Sequence, residues 1–157
     1  MASTVRRGLR CFAMSGSLGT GFAPSSNKMS KPRKHSVAVV ISKNDSILTI
    51  RRPDDDDELP GIWGLPAGTC RNQETVQELI ARIGREKLCV ELKPERQLAS
   101  GTQDRPAYIL FMELWAVSMT GTPNHPNWCW AAMEFLRPGA AAGSLCCDLA
   151  LKTQRPR

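Results

Sequence analysis

The sequence predicts an α/β fold, and three segments carry this prediction. Two β-branched runs, residues 37–41 and 46–52, are separated by the turn-prone cluster 43–45 and are typical of a β-hairpin. Over residues 73–88, apolar side chains recur at the spacing of an amphipathic helix. Residues 107–117 are rich in aromatic and aliphatic side chains and are predicted to form a buried strand. Strands on both sides of a helix indicate a mixed α/β architecture.

The N-terminal part of the chain differs in composition from the rest. Residues 1–44 contain no Asp or Glu, and much of the formal net charge of +6 lies there. Residues 1–32 hold too few core-forming side chains to fold, so we expect a disordered basic leader before a domain at residues 33–157. An Arg-rich, acid-free leader is typical of an organelle transit peptide, and an over-extended start, with Met14 or Met29 as the initiator, explains it equally well.

The predicted helix carries charges at regular intervals. Glu74, Glu78, Arg82 and Glu86 lie four residues apart, so their side chains share one face. Alternating charges often do no more than stabilise a solvated helix face, and for the pattern alone that is the default interpretation. The glycine turn at Gly68, directly before the helix, favours a site for diphosphate chemistry instead.

From Gly68 to Val90 the chain resembles the signature of the Nudix hydrolase family, whose MutT-like members cleave nucleoside diphosphate linkages. That signature runs Gly, five residues, Glu, seven residues, Arg, Glu, aliphatic, any residue, Glu, Glu, any residue, Gly, aliphatic. The matching residues are Gly68, Glu74, Arg82, Glu86 and Val90. With the N-terminal hairpin and the late Trp130, the resemblance covers residues 34–138. It implies a Nudix-type α/β/α sandwich with a mixed β-sheet.

Four positions depart from that signature. Ile83 and Lys87 stand where the family has Glu residues at its metal site. Gly84 replaces an aliphatic residue, and Cys89 replaces the glycine that ends the helix, which is a modest steric change. Because Mg²⁺ prefers carboxylate oxygens in octahedral geometry, the first two departures affect the chemistry most. Two functions follow: a metal-dependent hydrolase with a degenerate Nudix signature, or a catalytically impaired Nudix-fold binding module.

The resemblance also implies roles for individual residues. Glu86 is the helix carboxylate that remains as both catalytic residue and metal ligand, and Arg82 holds the helix carboxylates in place. Glu74 is the expected ion-pair partner of Arg82 and belongs to the same catalytic framework. The backbone carbonyl of Ala67 is a further expected metal ligand, and Glu134 is the candidate for a carboxylate supplied by a later loop.

Substrate contacts are expected around the glycine turn. Arg51 and Arg52 end a predicted strand near Gly68, where guanidinium groups can meet phosphate oxygens, although an exposed basic pair is an equal interpretation. By resemblance, the cofactor is Mg²⁺ or Mn²⁺, and the substrate is a small nucleoside diphosphate derivative such as a (d)NTP.

The remaining composition excludes several classes of protein. No segment approaches the roughly 18 apolar residues of a membrane helix. No basic stripe alternates with aromatics in the folded part, which disfavours nucleic acid as a partner. Six cysteines without a Cys-x-x-Cys pair, and two histidines, disfavour zinc. The acidic run 54–58 lacks the calcium-loop pattern and is predicted to be a solvated loop. We expect a cytoplasmic protein, or an organellar one if the leader is a transit peptide, and a homodimer is an open alternative.

Overall fold

The computed structural model describes residues 31–153. The leader predicted at residues 1–32 lies outside this range except for its last two positions. The strands are β1 (Arg33–Lys43), β2 (Ser46–Arg51), β3 (Trp63–Gly64), β4 (Ala67–Thr69), β5 (Glu91–Asp104), β6 (Ile109–Thr120) and β7 (Trp128–Ala131). The helices are α1 (Val76–Ile83), α2 (Arg137–Ala141) and α3 (Leu145–Thr153), with a π-helical turn (Gly84–Leu88) directly after α1 and a 3-10 turn (Met133–Leu136) before α2.

The predicted hairpin is formed by β1 and β2. These strands are antiparallel, with Ser42 opposite Ile47 and Lys43 opposite Ser46. Asn44 closes the turn with a φ of 57°. Asparagine tolerates this left-handed conformation better than most residues, which explains why the turn falls at this position. The first strand is longer than predicted because its N-terminal half pairs with other strands.

The seven strands of the described region form one mixed sheet. Its order is β3-β2-β1-β6-β5, with β4 also paired to β1 and β7 also paired to β2. The β1–β6 pairing is parallel, and the other pairings are antiparallel. The buried strand predicted at 107–117 corresponds to β6. The predicted mixed sheet is therefore confirmed.

Strand β5 was not predicted from the sequence. It pairs along its length with β6, but the register shifts between Pro94 and Arg96 and again between Gln97 and Ala99. Each irregularity interrupts the alternation of inward and outward side chains. Without that alternation, the period-two pattern that identifies a strand is weak.

Two hydrophobic cores lie on opposite faces of the sheet. Successive residues of β1 alternate between them: Val37 and Val39 belong to the core beneath α1, whereas Ala38 and Val40 belong to the core that includes α3 residues. This arrangement confirms the α/β/α sandwich. In residues 31–153, no helix is both long enough and apolar enough to cross a membrane.

The helix predicted at residues 73–88 is shorter and less regular than expected. Thr75 is the N-cap: its hydroxyl accepts from the Glu78 amide at 3.1 Å, and the Glu78 carboxylate accepts from the Thr75 amide at 2.9 Å. This capping box starts the helix at Val76 rather than at Gln73, which has a φ of 64° in the preceding turn. After Ile83 the backbone continues as a π-helical turn.

Candidate functional site

The Arg82–Glu74 ion pair joins α1 to the turn that precedes it, as the resemblance implied. Arg82 donates from Nε to Glu74 Oε2 at 2.8 Å and from Nη2 to Glu74 Oε1 at 2.9 Å. Nη2 also donates to the Thr69 carbonyl at 2.8 Å, at the end of β4. Hydrogen bonds from Arg82, and then from the Arg71 amide, hold the pKa of Glu74 at about 2. Both partners are therefore charged across the neutral pH range.

Gly68 allows α1 to lie close against β4. A β-carbon at this position would be 3.1 Å from Leu79 Cδ1 and 3.2 Å from Ile83 Cγ1. These contacts are tighter than ordinary packing, so any side chain would push the helix away from the strand. Gly68 therefore has a packing role. It also lines a groove on the surface of the protein.

Two of the four departures from the signature, at Ile83 and Gly84, have structural explanations. Ile83 is 1% exposed and lies in the core beneath α1, so this position does not present its side chain to solvent. At Gly84, a β-carbon would lie 2.8 Å from the Val90 carbonyl, which excludes a larger residue here. Cys89 has φ 58° and ψ 39°, a left-handed conformation that favours glycine. The cost of Cys89 is therefore conformational as well as steric.

Lys87, the fourth departure, binds the carbonyl group that was expected to ligate the metal. Its ammonium donates a hydrogen bond to the backbone oxygen of Ala67. The residue as a whole is exposed, but this end of the side chain turns into a groove. Burial there lowers the pKa of Lys87, and the nearby cations Arg52 and Arg82 lower it further.

The groove consists of two adjoining cavities of about 420 and 450 Å³. Residues that line both cavities are Arg52, Asp56, Ala67, Lys87, Ser144 and Cys146. The first cavity, which we call the basic cavity, is also lined by Lys34, Arg105 and Tyr108, and by the carboxylates of Asp57 and Glu58 at its rim. The second cavity is also lined by Arg51 and Glu86. Lys87 therefore contributes to both halves of the groove.

The acidic run at residues 54–58 forms part of a loop at the rim of this groove. Glu58 accepts a hydrogen bond from Tyr108 Oη at 2.6 Å and forms an ion pair with Arg105 Nη1 at 2.9 Å. The ends of the loop meet where the Gly61 amide donates to the Pro53 carbonyl at 3.0 Å, with Gly61 at a φ of 69°. The loop is exposed at several positions, as predicted, but it is also fixed to the β5–β6 hairpin.

The structure brings most of the predicted site residues together. Gly68, Arg52, Arg51, Ala67 and Glu86 line the groove, and Glu74 and Arg82 form the ion pair beside it. Glu134 does not line either cavity and is exposed on the 3-10 turn after β7. That turn lies at the edge strand β7, which pairs with β2 rather than with the strands around Gly68.

Sequence reasoning missed the basic wall of the groove. Lys34 lies over the Tyr108 ring, with Nζ 4.2 Å from the ring centroid, and Arg105 lies 6.0 Å from the same centroid. These residues belong to β1 and to the β5–β6 connection, outside the signature. A cation near an aromatic ring has no fixed sequence spacing, so no local signal could have grouped them.

The residues around the groove do not fit a divalent ion in the arrangement that the resemblance implied. Within residues 31–153, no three His, Cys, Asp or Glu side chains are placed to hold one ion. The Glu86 carboxylate faces cations instead, 3.5 Å from Arg82 Nη1 and 3.8 Å from Arg71 Nη2. The expected carbonyl ligand at Ala67 already accepts from Lys87. Dependence on Mg²⁺ or Mn²⁺ therefore stays a prediction.

Comparison with known proteins identifies the fold. No protein-family profile and no curated protein sequence matches the chain. Among solved structures, the MutT protein of Methanosarcina mazei superimposes with a TM-score of 0.68 at 18% identity, covering 80% of this chain and 95% of that chain. The E. coli ORF135 protein gives 0.65 at 25% identity, covering 85% and 99%.

A third similar structure is an ADP-ribose pyrophosphatase from Streptococcus suis, with a TM-score of 0.57 at 18% identity, covering 79% of this chain and 93% of that chain. Other similar structures are named as MutT or Nudix hydrolases. The chain therefore has the Nudix fold, as the sequence resemblance predicted.

Proposed function

We infer that this chain is a Nudix-type hydrolase that acts on the diphosphate linkage of a small nucleoside diphosphate derivative. The observation that carries the inference is the groove between the Gly68 turn and the rim loop, where Arg52 and Lys87 line both cavities. Guanidinium and ammonium groups are the usual protein partners of phosphate oxygens. The names of similar structures, an ADP-ribose pyrophosphatase and a UDP-X diphosphatase, support this substrate class.

Glu86 and the Arg82–Glu74 pair have different roles in this proposal. Hydrolysis forms a bond from a water oxygen to phosphorus, breaks the bridging phosphorus–oxygen bond, and requires an acceptor for the water proton. Glu86 is half exposed at the groove, and we assign it this acceptor role. Arg82 and Glu74 fix α1 against the turn and act as positioning residues.

The substrate contacts are assigned to the shared lining of the two cavities. Arg52 is paired with Asp56, at 3.1 Å between Nε and Oδ2, and lines both cavities. Arg51 is paired with Asp54 at 2.6 Å and lines only the second cavity. A phosphate group that binds Arg52 would displace Asp56 from the guanidinium group or bind beside it. Because Arg52 lines both cavities and Arg51 lines only one, we assign the main contact to Arg52 and a rim contact to Arg51.

A binding module without turnover is the second candidate. The position of Ile83 in the core and the Lys87 contact to Ala67 favour it, because both remove oxygen ligands that Nudix hydrolases place around a metal ion. In this case the groove would bind the same nucleotide derivative but leave its diphosphate intact.

A substrate panel separates the two candidates. The full chain is incubated with ADP-ribose, a UDP-sugar and several (d)NTPs in Mg²⁺, in Mn²⁺ and in a chelator, and released phosphate and pyrophosphate are measured. Calorimetry with the same compounds reports binding. Turnover that is lost in Glu86→Gln supports the hydrolase, whereas binding without turnover supports the module. If no compound binds or is cleaved, both candidates are wrong.

A further inference from the structure

The contact between Lys87 and Ala67 places a cation at the junction of the two cavities. Lys87 follows Glu86 on the π-helical turn, and its side chain reaches back across 20 positions of the sequence to the β4 carbonyl. Both residues line both cavities. An ion that used the Ala67 carbonyl as a ligand would therefore meet the ammonium group at the same oxygen.

The ammonium group of Lys87 is available to an anion. An ammonium carries three N–H donors, and the structure shows one of them used, by the Ala67 carbonyl. In the described part of the chain, Lys87 forms no ion pair with a carboxylate, whereas Arg52 is paired with Asp56 and Arg105 with Glu58. Among the described residues, Lys87 and Lys34 are thus groove cations without a carboxylate ion pair, and of these two only Lys87 lies at the junction of the two cavities.

A divalent ion and the Lys87 ammonium exclude each other at this position. Like charges a few ångströms apart repel strongly in a partly desolvated groove. Arg52 and Arg82 are further cations close enough to act on the same group. Glu86 and Asp56 act on Lys87 in the opposite sense but less strongly, so the ammonium group at this carbonyl oxygen and the two cations near it disfavour a dication there and favour an anion.

We propose that the Lys87 ammonium, anchored by the Ala67 carbonyl, takes the place of a divalent ion and binds the phosphate oxygens of the ligand directly. The ligand class is the diphosphate group of the nucleotide derivative inferred above, so this inference rests on the proposed function. Arg52, which also lines both cavities, binds the same group, and Lys34 extends the basic cavity toward further phosphate oxygens. Phosphate binding in this groove is consequently independent of metal.

The test uses inorganic pyrophosphate as the probe and the full chain as the protein. Calorimetric titrations are carried out in a chelator and in Mg²⁺. We expect binding in the chelator, and affinity that does not increase when Mg²⁺ is added. Lys87→Met should weaken the chelator affinity at least tenfold, the loss expected when a charge-assisted hydrogen bond is removed. Lys93→Met, at an exposed lysine of β5 outside the groove, is the matched control and should bind as the parent does.

Two further variants separate charge from folding. Lys87→Arg keeps a positive charge at the junction and should retain binding in the chelator. Lys87→Glu should lose it and bind pyrophosphate only when Mg²⁺ is present. If Lys87→Met fails to fold, as judged by thermal unfolding, these two variants still compare opposite charges at the same position.

Some results would overturn the inference. Pyrophosphate binding that requires Mg²⁺ in the parent chain, with Lys87→Met unchanged, would show that Lys87 does not replace an ion; the proposed hydrolase function would then stand. Absence of pyrophosphate binding in both buffers would also overturn the inference. If the nucleotide panel in that case still shows metal-dependent turnover, only the inference about Lys87 has failed.

Discussion

Arg82 binds Glu74 through two hydrogen bonds, Nε to Oε2 at 2.8 Å and Nη2 to Oε1 at 2.9 Å, and so connects the middle of α1 to the turn before it. The third donor contact, to the Thr69 carbonyl, extends this connection to β4. This guanidinium group therefore links helix, turn and strand beside the groove, in addition to the packing of α1 on the sheet.

The Glu74 carboxylate makes stability depend on pH in a defined window. Its pKa falls from the ordinary 4.5 to about 2 in the folded chain, chiefly because of the hydrogen bonds from Arg82. A lowered pKa stabilises the folded state above pH 4.5, and this contribution is lost as the pH falls toward 2. Urea unfolding between these pH values should therefore show a steeper loss of stability in the parent than in Glu74→Gln. Glu91→Gln, at an exposed residue of β5, should keep the parent's slope; equal slopes in all three proteins would contradict the prediction.

Glu86 should matter for activity but little for stability. If the chain is a hydrolase, Glu86→Gln should lower kcat/KM at least tenfold, which corresponds to about 1.4 kcal/mol of barrier. The side chain is half exposed and its ion pairs are long, so the free energy of unfolding should change by less than about 0.5 kcal/mol. Full turnover in this variant, measured on the best substrate of the panel, would place the chemistry elsewhere.

Restoring a carboxylate at position 83 should destabilise the chain. Ile83 is 1% exposed in the core beneath α1, so Ile83→Glu buries a carboxyl group without a partner and should cost several kcal/mol, roughly 2–5. Ile83→Val, the matched control, should cost only about 1 kcal/mol. Urea unfolding measures both variants.

The double variant Ile83→Glu with Lys87→Glu tests whether a family-like ion site can be rebuilt. If it remains folded, we expect tighter Mg²⁺ binding, because two negative groups then replace an apolar and a positive one. A folded double variant that gains neither Mg²⁺ affinity nor diphosphatase activity would favour the binding module over the hydrolase.

Cys89 offers a stabilising substitution. Its left-handed conformation, with φ 58°, costs a non-glycine residue about 1 kcal/mol or more. Cys89→Gly should therefore raise the free energy of unfolding by about 0.5–1 kcal/mol, after the greater freedom of glycine in the unfolded chain is deducted. Cys89→Ala removes the thiol but keeps the β-carbon, and it should show no such gain. Equal gains in both variants would mean that the thiol, not the backbone, is responsible.

The parts of the structure that the sequence predicted are those with fixed spacing. The β1–β2 hairpin follows from a local turn, and the Arg82–Glu74 pair joins two residues of the signature that lie eight positions apart. The capping box at Thr75 has a local signature too, but the continuous charge pattern from Glu74 onward concealed the later start of the helix.

The parts that could not be predicted depend on tertiary structure. The Tyr108–Glu58 hydrogen bond joins residues 50 positions apart, and the Lys87–Ala67 contact joins residues 20 apart across the π-helical turn. From the sequence, the only conclusion about Lys87 was that a lysine replaces a metal-site carboxylate of the family. Only the three-dimensional structure shows that its ammonium group donates to the Ala67 carbonyl, which places a positive charge in the groove.

The hydrogen bond from the Gly61 amide to the Pro53 carbonyl brings the two ends of the rim loop together. A loop whose two ends lie close together can be lengthened, shortened or exchanged at small entropic cost, because the entropy of loop closure depends only weakly on loop length. The loop between Pro53 and Gly61 can therefore be replaced as one unit. Loops exchanged at these two positions would reshape one wall of the groove while the sheet ends stay in place, which makes them the practical starting point for engineering ligand choice on this scaffold.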